Sequence, residues 1–249
     1  MPLYEEFKKQ GNLLFRYRGT IPIPFLIFAL IIHVYMENLD YINLRKNLYY
    51  GIYYEYFCLI ISLLGLVMRV YIVGYSAKNT SGRNEKEQVA DTINTTGMYS
   101  LVRHPLYLAN FIMWFGPILL TRNFWFVIAS ILLYWLYYER IMFAEEEFLR
   151  KKFGQQYLDW ASKTPAFIPN FKNFKKPELP FSWKKVIRQE KNGLIAMFLV
   201  FLIFDIASNT YNGSFEYNQF YIIGSIVAFL GFLIIRYLKH KTQLLKDDR

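Results

Sequence analysis

The chain has 249 residues, of which 54% are hydrophobic and 20% aromatic, and its formal net charge is +10. The apolar residues are bunched into long runs, which excludes a disordered chain and argues against an ordinary soluble domain. Cys58 is the only cysteine, so an internal disulfide and a cysteine metal cluster are excluded. His33, His104 and His240 lack the spacing of metal ligands, and we expect no metal site.

The long apolar runs predict helices that cross a membrane, for which about 20 residues are needed. Runs such as "MFLVFLIF" offer no polar face to water, which disfavours a soluble helical bundle. Two of the runs are short and are separated only by "TRN", so they predict a tight helical hairpin. The sequence therefore predicts an all-α fold, a polytopic transmembrane helical bundle. Its candidate spans, about six in number, are residues 20–36, 51–75, 106–120, 124–138, 193–208 and 219–238.

The lysines and arginines predict how these spans are oriented. Most of them fall in residues 1–19, 76–105 and 139–192 and in the tail that starts at Arg236. Because cationic loops stay cytoplasmic, both termini and both long loops are expected on that side. The basic residues follow the membrane topology, so lipid headgroups rather than nucleic acids are the expected partners. Arg69, near the end of the second run, is expected to snorkel to the same surface.

Ionisable residues on both sides of the hairpin are expected to converge on one cytoplasmic mouth. His104 and Tyr107 stand where the hairpin starts, and Arg140 and the glutamates 145–147 stand beyond its end. Such groups are costly at a membrane threshold unless they bind something. Pro105 suits the first turn of a helix, whose free N–H groups then face the mouth and favour an anion.

The order of motifs along the chain resembles a known superfamily. The segment "GMYSLVRHPLYLANF" is followed by a hydrophobic hairpin and by "EEEFLRKKFGQQYLDWASKTPAFIP". This arrangement is similar to that of the isoprenylcysteine carboxyl methyltransferases and phospholipid methyltransferases, and it covers about residues 50–170. The residues that carry the resemblance are Gly97, Tyr99, His104, Pro105, Tyr107, Glu145, Glu146, Leu149, Phe153, Gly154, Tyr157 and Pro169.

The resemblance implies a membrane enzyme that uses S-adenosylmethionine at a cytoplasmic cofactor site. It implies Arg140, His104 and Glu145 as the catalytic group, with Arg140 contacting the substrate. The arginine of the family is usually four residues before the first carboxylate, whereas Arg140 is five before Glu145 and Ile141 takes the expected place. Which glutamate meets the cofactor therefore stays open. The implied cofactor contacts are Asn84, Asp91, Thr92, Ile93, Asn94, Tyr99, His104, Pro105, Leu106, Tyr107, Glu145 and Glu146.

The expected methyl acceptor is an anionic group of a lipidic substrate that reaches the site from the cytoplasmic leaflet. The loop "GYSAKNTSGRNEKEQVADTINTTG" resembles the branch that methylates the 1-phosphate of lipid A, which implies a bacterial inner-membrane enzyme. Alternatives are isoprenylcysteine-type carboxyl methylation, phosphatidylethanolamine N-methylation, an NADPH-dependent sterol-type reductase, and a non-catalytic scaffold or transporter. We expect residues 1–192 to form the membrane methyltransferase core. Residues 193–249 are expected to add two C-terminal helices and a basic cytoplasmic tail.

Overall fold

A computed structural model of the protein describes residues 2–42, 48–78, 80 and 88–245. Within these residues the chain forms helices joined by turns and contains no β-strand, only an isolated bridge between Gly97 and Lys175. The helices are α1 (Leu3–Arg16), α2 (Pro22–Ile42), α3 (Leu48–Tyr75), α4 (Met98–Leu101), α5 (Pro105–Leu120), α6 (Phe124–Phe153), α7 (Gln155–Ala161), α8 (Trp183–Tyr211) and α9 (Gln219–Lys241).

The predicted all-α polytopic bundle is confirmed. Among the described helices, α2, α3, α6, α8 and α9 are long and apolar enough to cross a membrane, and α5 is a shorter apolar helix. The hairpin of α5 and α6 is asymmetric, because α5 has 16 residues and α6 has 30. The side chain of Asn123 accepts a hydrogen bond from the backbone N–H of Phe126 at 2.9 Å and so caps α6. The continuation of α6 beyond its apolar part carries the charged residues of the expected site.

Small residues bring α3 and α5 into close contact. A Cβ at Gly116 would overlap the hydroxyl of Ser62 and the carbonyl oxygen of Cys58, and one at Gly65 would overlap the backbone of Met113. Glycines of this kind let membrane helices approach backbone to backbone. The hydroxyl of Ser62 also donates a hydrogen bond to the carbonyl of Met113 at 2.8 Å. The crossing fixes α3 against α5, so that side chains of both helices can line one cavity.

The N-terminal helix α1 packs along the charged half of α6. Gly11 lies against the backbone of Arg140 and the side chain of Ala144, where a Cβ would not fit. The ring of Tyr4 meets that of Phe143 edge to face, with centroids 5.4 Å apart. This packing brings the connection between α1 and α2 to the end of the hairpin at which the expected site residues lie.

Helix α8 joins the rest of the bundle through a buried lysine. Lys185 is only 1% exposed, and its ammonium donates hydrogen bonds to the carbonyls of Ser76 at 2.7 Å and Ala77 at 2.8 Å. These carbonyls follow directly on α3, which ends at Tyr75. The boundary expected after residue 192 lies inside α8, and the division into a core and a C-terminal part stays a prediction.

Candidate active site

A cavity of about 260 Å³ lies where α5 begins. Its walls come from that helix start, from α3, from the charged part of α6, from the loop before α4 and from the connection between α1 and α2. The structure brings most of the expected cofactor contacts together here, and their roles stay predictions. Those that line the cavity are Thr92, Ile93, Asn94, Tyr99, His104, Pro105, Leu106, Tyr107 and Glu145.

His104 is held by two consecutive glutamates of α6. Its Nδ1 lies 3.5 Å from Oε2 of Glu145, and its Nε2 lies 2.9 Å from Oε1 of Glu146. The imidazole is buried, which disfavours its charged form, but the hydrogen bonds to both glutamates outweigh this effect and raise the pKa of His104. The contacts of His104 with both glutamates join the start of α5 to α6.

The two glutamates occupy different places. Glu145 lines the cavity, and its Oε1 accepts a hydrogen bond from the hydroxyl of Tyr107 at 2.7 Å. Glu146 does not line the cavity, and its carboxylate accepts a hydrogen bond from Arg103 at 2.7 Å in addition to its contact with His104. The geometry thus favours Glu145 as the carboxylate that meets a ligand and Glu146 as the group that positions His104.

The polar loop before α4 is held to the end of α3 by Asn94. The side-chain oxygen of Asn94 accepts a hydrogen bond from the backbone N–H of Ala77 at 3.1 Å, and its amide donates to the hydroxyl of Thr80 at 2.8 Å. Asp91 belongs to the same loop but does not line the cavity. Asn84, another expected cofactor contact, lies outside the described residues.

Arg140, the expected substrate contact, does not reach the cavity. Its Nη1 donates a hydrogen bond to Glu139 at 2.8 Å, and its guanidinium carbon lies 3.4 Å from the centre of the Phe7 ring on α1. The reason is helical geometry, because residues five apart on an α-helix differ in direction by about 140°. Arg140 and Glu145 therefore face opposite sides of α6, and this placement does not support a substrate contact by Arg140.

The cavity contains polar groups that the sequence analysis missed. Arg69 lines the cavity, and its guanidinium bonds to Glu190 of α8 and to Asn110 of α5 instead of snorkelling to the surface. Arg18 lines it as well, with Nη1 3.8 Å from Oε1 of Glu145. A charge inside an apolar run was a usable signal for Arg69. Its partner Glu190 is 121 positions away, so no local pattern connects the two residues.

Comparison with known proteins agrees with this geometry. Residues 55–156 match the phospholipid methyltransferase family. The chain is 31% identical over 114 residues to the protein-S-isoprenylcysteine O-methyltransferase of Schizosaccharomyces pombe, and 30% identical over 124 residues to that of Xenopus laevis. These matches support the resemblance to the superfamily of isoprenylcysteine carboxyl methyltransferases and phospholipid methyltransferases.

The similarity covers only part of this chain and only part of each relative. The two isoprenylcysteine O-methyltransferases match 43% and 46% of this chain, with 48% and 43% of their own lengths covered. A nickel-cobalt-cadmium resistance protein of Alcaligenes xylosoxydans xylosoxydans is 32% identical over 117 residues, which are 47% of this chain and 52% of that protein. The chain thus spans about half the length of the curated relatives it matches. No solved structure matches it.

The region that matches the phospholipid methyltransferase family contains the hairpin and its site residues. It runs from within α3 to the start of α7, and so includes His104, Tyr107 and Glu145. Two arginines that line the cavity, Arg18 and Arg69, are positioned by helices outside the matched region. Arg18 follows α1, and Arg69 is bonded to Glu190 of α8. The matched site residues are therefore flanked by N-terminal and C-terminal helices that the match does not cover.

Proposed function

We propose that this protein is an S-adenosylmethionine-dependent O-methyltransferase that acts on an anionic group of a membrane lipid, with the 1-phosphate of lipid A as the preferred acceptor. The observation that carries the proposal is the carboxylate of Glu145 on the cavity wall. It is oriented by the hydroxyl of Tyr107 at 2.7 Å and lies beside His104, within the region that matches the family.

The cavity offers groups that suit S-adenosylmethionine. The carboxylate of Glu145 can pair with a cationic group, and the ring faces of Tyr99 and Tyr107 can attract a sulfonium. The N-terminus of α5, which begins at Pro105, can take a carboxylate. When bound, the cofactor supplies an electrophilic methyl group on its sulfonium.

The geometry suits an oxyanion acceptor better than an amine. An acceptor oxygen forms its bond to the methyl carbon as the carbon–sulfur bond breaks, and the bonding electrons stay on sulfur. An oxyanion loses no proton in this step, so alignment and exclusion of water supply the acceleration. A protonated amine would first need a base. Both ring nitrogens of His104 face carboxylates of Glu145 and Glu146, so neither is open to an incoming amine.

Two kinds of oxyanion remain as candidates. The polar loop around Asp91–Asn94 resembles the lipid A branch, which favours a phosphate in a bacterial inner membrane. The similarity to the isoprenylcysteine O-methyltransferases of Schizosaccharomyces pombe and Xenopus laevis favours the carboxylate of an isoprenylated cysteine as the second candidate. Both groups sit on lipidic molecules, which we propose reach the cavity from the cytoplasmic leaflet.

The test incubates membranes that contain the protein with radiolabelled S-adenosylmethionine and three acceptors: lipid A, an isoprenylated cysteine peptide and phosphatidylethanolamine. The labelled product is identified by mass. Label on the lipid A phosphate supports the full proposal. Label on the peptide carboxylate supports the methyltransferase activity but makes the isoprenylated cysteine the acceptor instead of lipid A. Label on the amine contradicts the oxyanion assignment.

Two variants and a binding measurement complete this test. Glu145→Gln should abolish transfer, whereas the same change at exposed Glu6 should leave it intact. Protection of the purified protein against heat is measured with S-adenosylmethionine and with NADPH. Protection by NADPH alone would favour the reductase alternative, and absence of both protection and transfer would favour a non-catalytic role.

A further inference from the structure

Arg69 is a charged residue within the membrane-spanning part of the bundle, and its side chain faces the candidate active site. It lies about six residues, or roughly 9 Å, before the end of α3 at Tyr75. Its side chain lines the cavity and is 19% exposed.

The guanidinium of Arg69 is held in one orientation by two other helices. Its Nε donates to Oε2 of Glu190 at 2.8 Å, its Nη2 donates to Oε1 of Glu190 at 2.9 Å, and its Nη1 donates to Oδ1 of Asn110. Glu190 is 5% exposed, so this paired contact is shielded from water. The arginine is therefore oriented in advance by α8 on one side and by α5 on the other.

This arrangement leaves donors of Arg69 for a ligand. A guanidinium carries five N–H groups and no acceptor. Bonds to Glu190 and Asn110 account for three of them among the described residues. One N–H group remains on each of the two terminal nitrogens, and these can donate to oxygens of a phosphate or a carboxylate.

Two other arginines near the site, Arg140 and Arg103, are placed differently. Arg140 faces the ring of Phe7 on α1 and does not line the cavity. Arg103 lines the cavity but donates to Glu146 at 2.7 Å, the same carboxylate that holds His104. Of these three arginines, only Arg69 both lines the cavity and belongs to a membrane-spanning helix.

We propose that Arg69 binds the oxyanion of the methyl acceptor, and that Glu190 and Asn110 are positioning residues for it. This inference rests on the proposed methyl transfer and adds to it the chemical class of the acceptor subsite, a phosphate or carboxylate oxygen pair. An acceptor with an ammonium group would gain no hydrogen bond from Arg69, because a guanidinium has no acceptor atom. Glu190 lies outside the region that matches the family, so acceptor binding depends on a helix outside that region.

The test separates acceptor binding from cofactor binding. Arg69→Gln should raise the KM for the acceptor on the order of 10- to 100-fold, the size expected for charge-assisted hydrogen bonds. Glu190→Gln should raise it less, with kcat nearly unchanged, because the arginine stays but loses its orientation. The Kd for S-adenosylmethionine should change less than about twofold in each variant, which also shows that the variants fold. Arg69→Lys should recover part of the loss.

A matched control is found at the other end of α5. Glu37 is also 5% exposed and also pairs with an arginine, Arg122, at 2.9 Å. Glu37→Gln therefore removes a similar ion pair far from the cavity and should leave the acceptor KM unchanged. Arg140→Gln is measured in parallel. A rise in acceptor KM with Arg140→Gln and none with Arg69→Gln would overturn the inference in favour of the arginine that the family resemblance suggests.

The remaining outcomes are also decisive. If the wild-type protein methylates an acceptor and Arg69→Gln retains the wild-type KM for it, the inference fails while the proposed function stands. If Arg69→Gln and Arg69→Lys weaken the cofactor as much as the acceptor, Arg69 is not an acceptor subsite. If the wild-type protein binds no S-adenosylmethionine and transfers no methyl group, the proposed function fails, and the inference fails with it.

Discussion

Nε2 of His104 lies 2.9 Å from Oε1 of Glu146, so the residue directly before α5 contacts a carboxylate that does not line the cavity. The neighbouring Glu145 does face it. We expect Glu145→Gln to weaken S-adenosylmethionine binding at least tenfold, roughly the effect of losing one charge-assisted contact of about 1.5–3 kcal/mol. Glu146→Gln should instead lower the thermal unfolding midpoint, with a smaller effect on binding. Calorimetric titration and thermal unfolding of both variants check this.

The result that would contradict this assignment is a reversal of the two effects. If Glu146→Gln abolished binding and Glu145→Gln left it intact, the helix would present the second glutamate to the cofactor. Glu147 provides the matched control, because it is buried, lies 3.9 Å from Lys151 and does not line the cavity. Glu147→Gln should leave the affinity for S-adenosylmethionine unchanged.

How much of this site the sequence could predict depends on the distance between the partners. The contacts among His104, Tyr107 and Glu145 follow from one hairpin, and the motifs at its two ends indicate them. The Arg69–Glu190 pair joins helices 121 positions apart, and apolar periodicity does not encode which membrane helices become neighbours. To predict where Arg140 lies, one has to know in which direction its side chain leaves the helix. The five-residue spacing between Arg140 and Glu145 already indicated that direction.

Lys185 connects α8 to the polar loop before α4 through the end of α3. Its ammonium donates to Ser76 and Ala77, and the N–H of Ala77 in turn holds the side chain of Asn94 on the cavity wall. Lys185→Met should leave these carbonyls without their charged donor and lower the free energy of unfolding by about 1.5–3 kcal/mol. It should also weaken S-adenosylmethionine binding, because the loop loses its support. Thermal unfolding with and without the cofactor measures both effects.

Lys184 supplies the control for this experiment. It precedes Lys185 in the same helix turn but is exposed. Lys184→Met removes an equal charge and an equal side chain, so it should leave both stability and cofactor affinity near wild type. Equal effects of the two substitutions would show that the charge of this segment matters, and not the buried hydrogen bonds of Lys185.

The crossing of α3 and α5 should be sensitive to a single methyl group. A Cβ at Gly116 would overlap the hydroxyl of Ser62 and the carbonyl oxygen of Cys58, so Gly116→Ala should destabilise the protein by about 1–3 kcal/mol, typical of overpacking. Gly231→Ala is the control, because a Cβ there meets no atom within 4 Å. Alanine at that helix position, where the added methyl group has open space, should be neutral or stabilise slightly. Thermal unfolding that gives the same midpoint for both variants would contradict the close crossing.

His104 should make the stability of the protein depend on pH. Glu145 and Glu146 on α6 raise its pKa despite burial, while Arg103 pairs with Glu146 and the ring of Tyr107 stacks beside it. A raised pKa in the folded state gives a stabilisation that is complete below the ordinary value of about 6.5 and is lost as pH rises through the folded-state pKa. The thermal midpoint should therefore fall as pH rises above neutrality, by about 2–4 °C for each kcal/mol lost. His104→Asn should lack this fall, and an unchanged slope in that variant would assign the pH dependence to other groups.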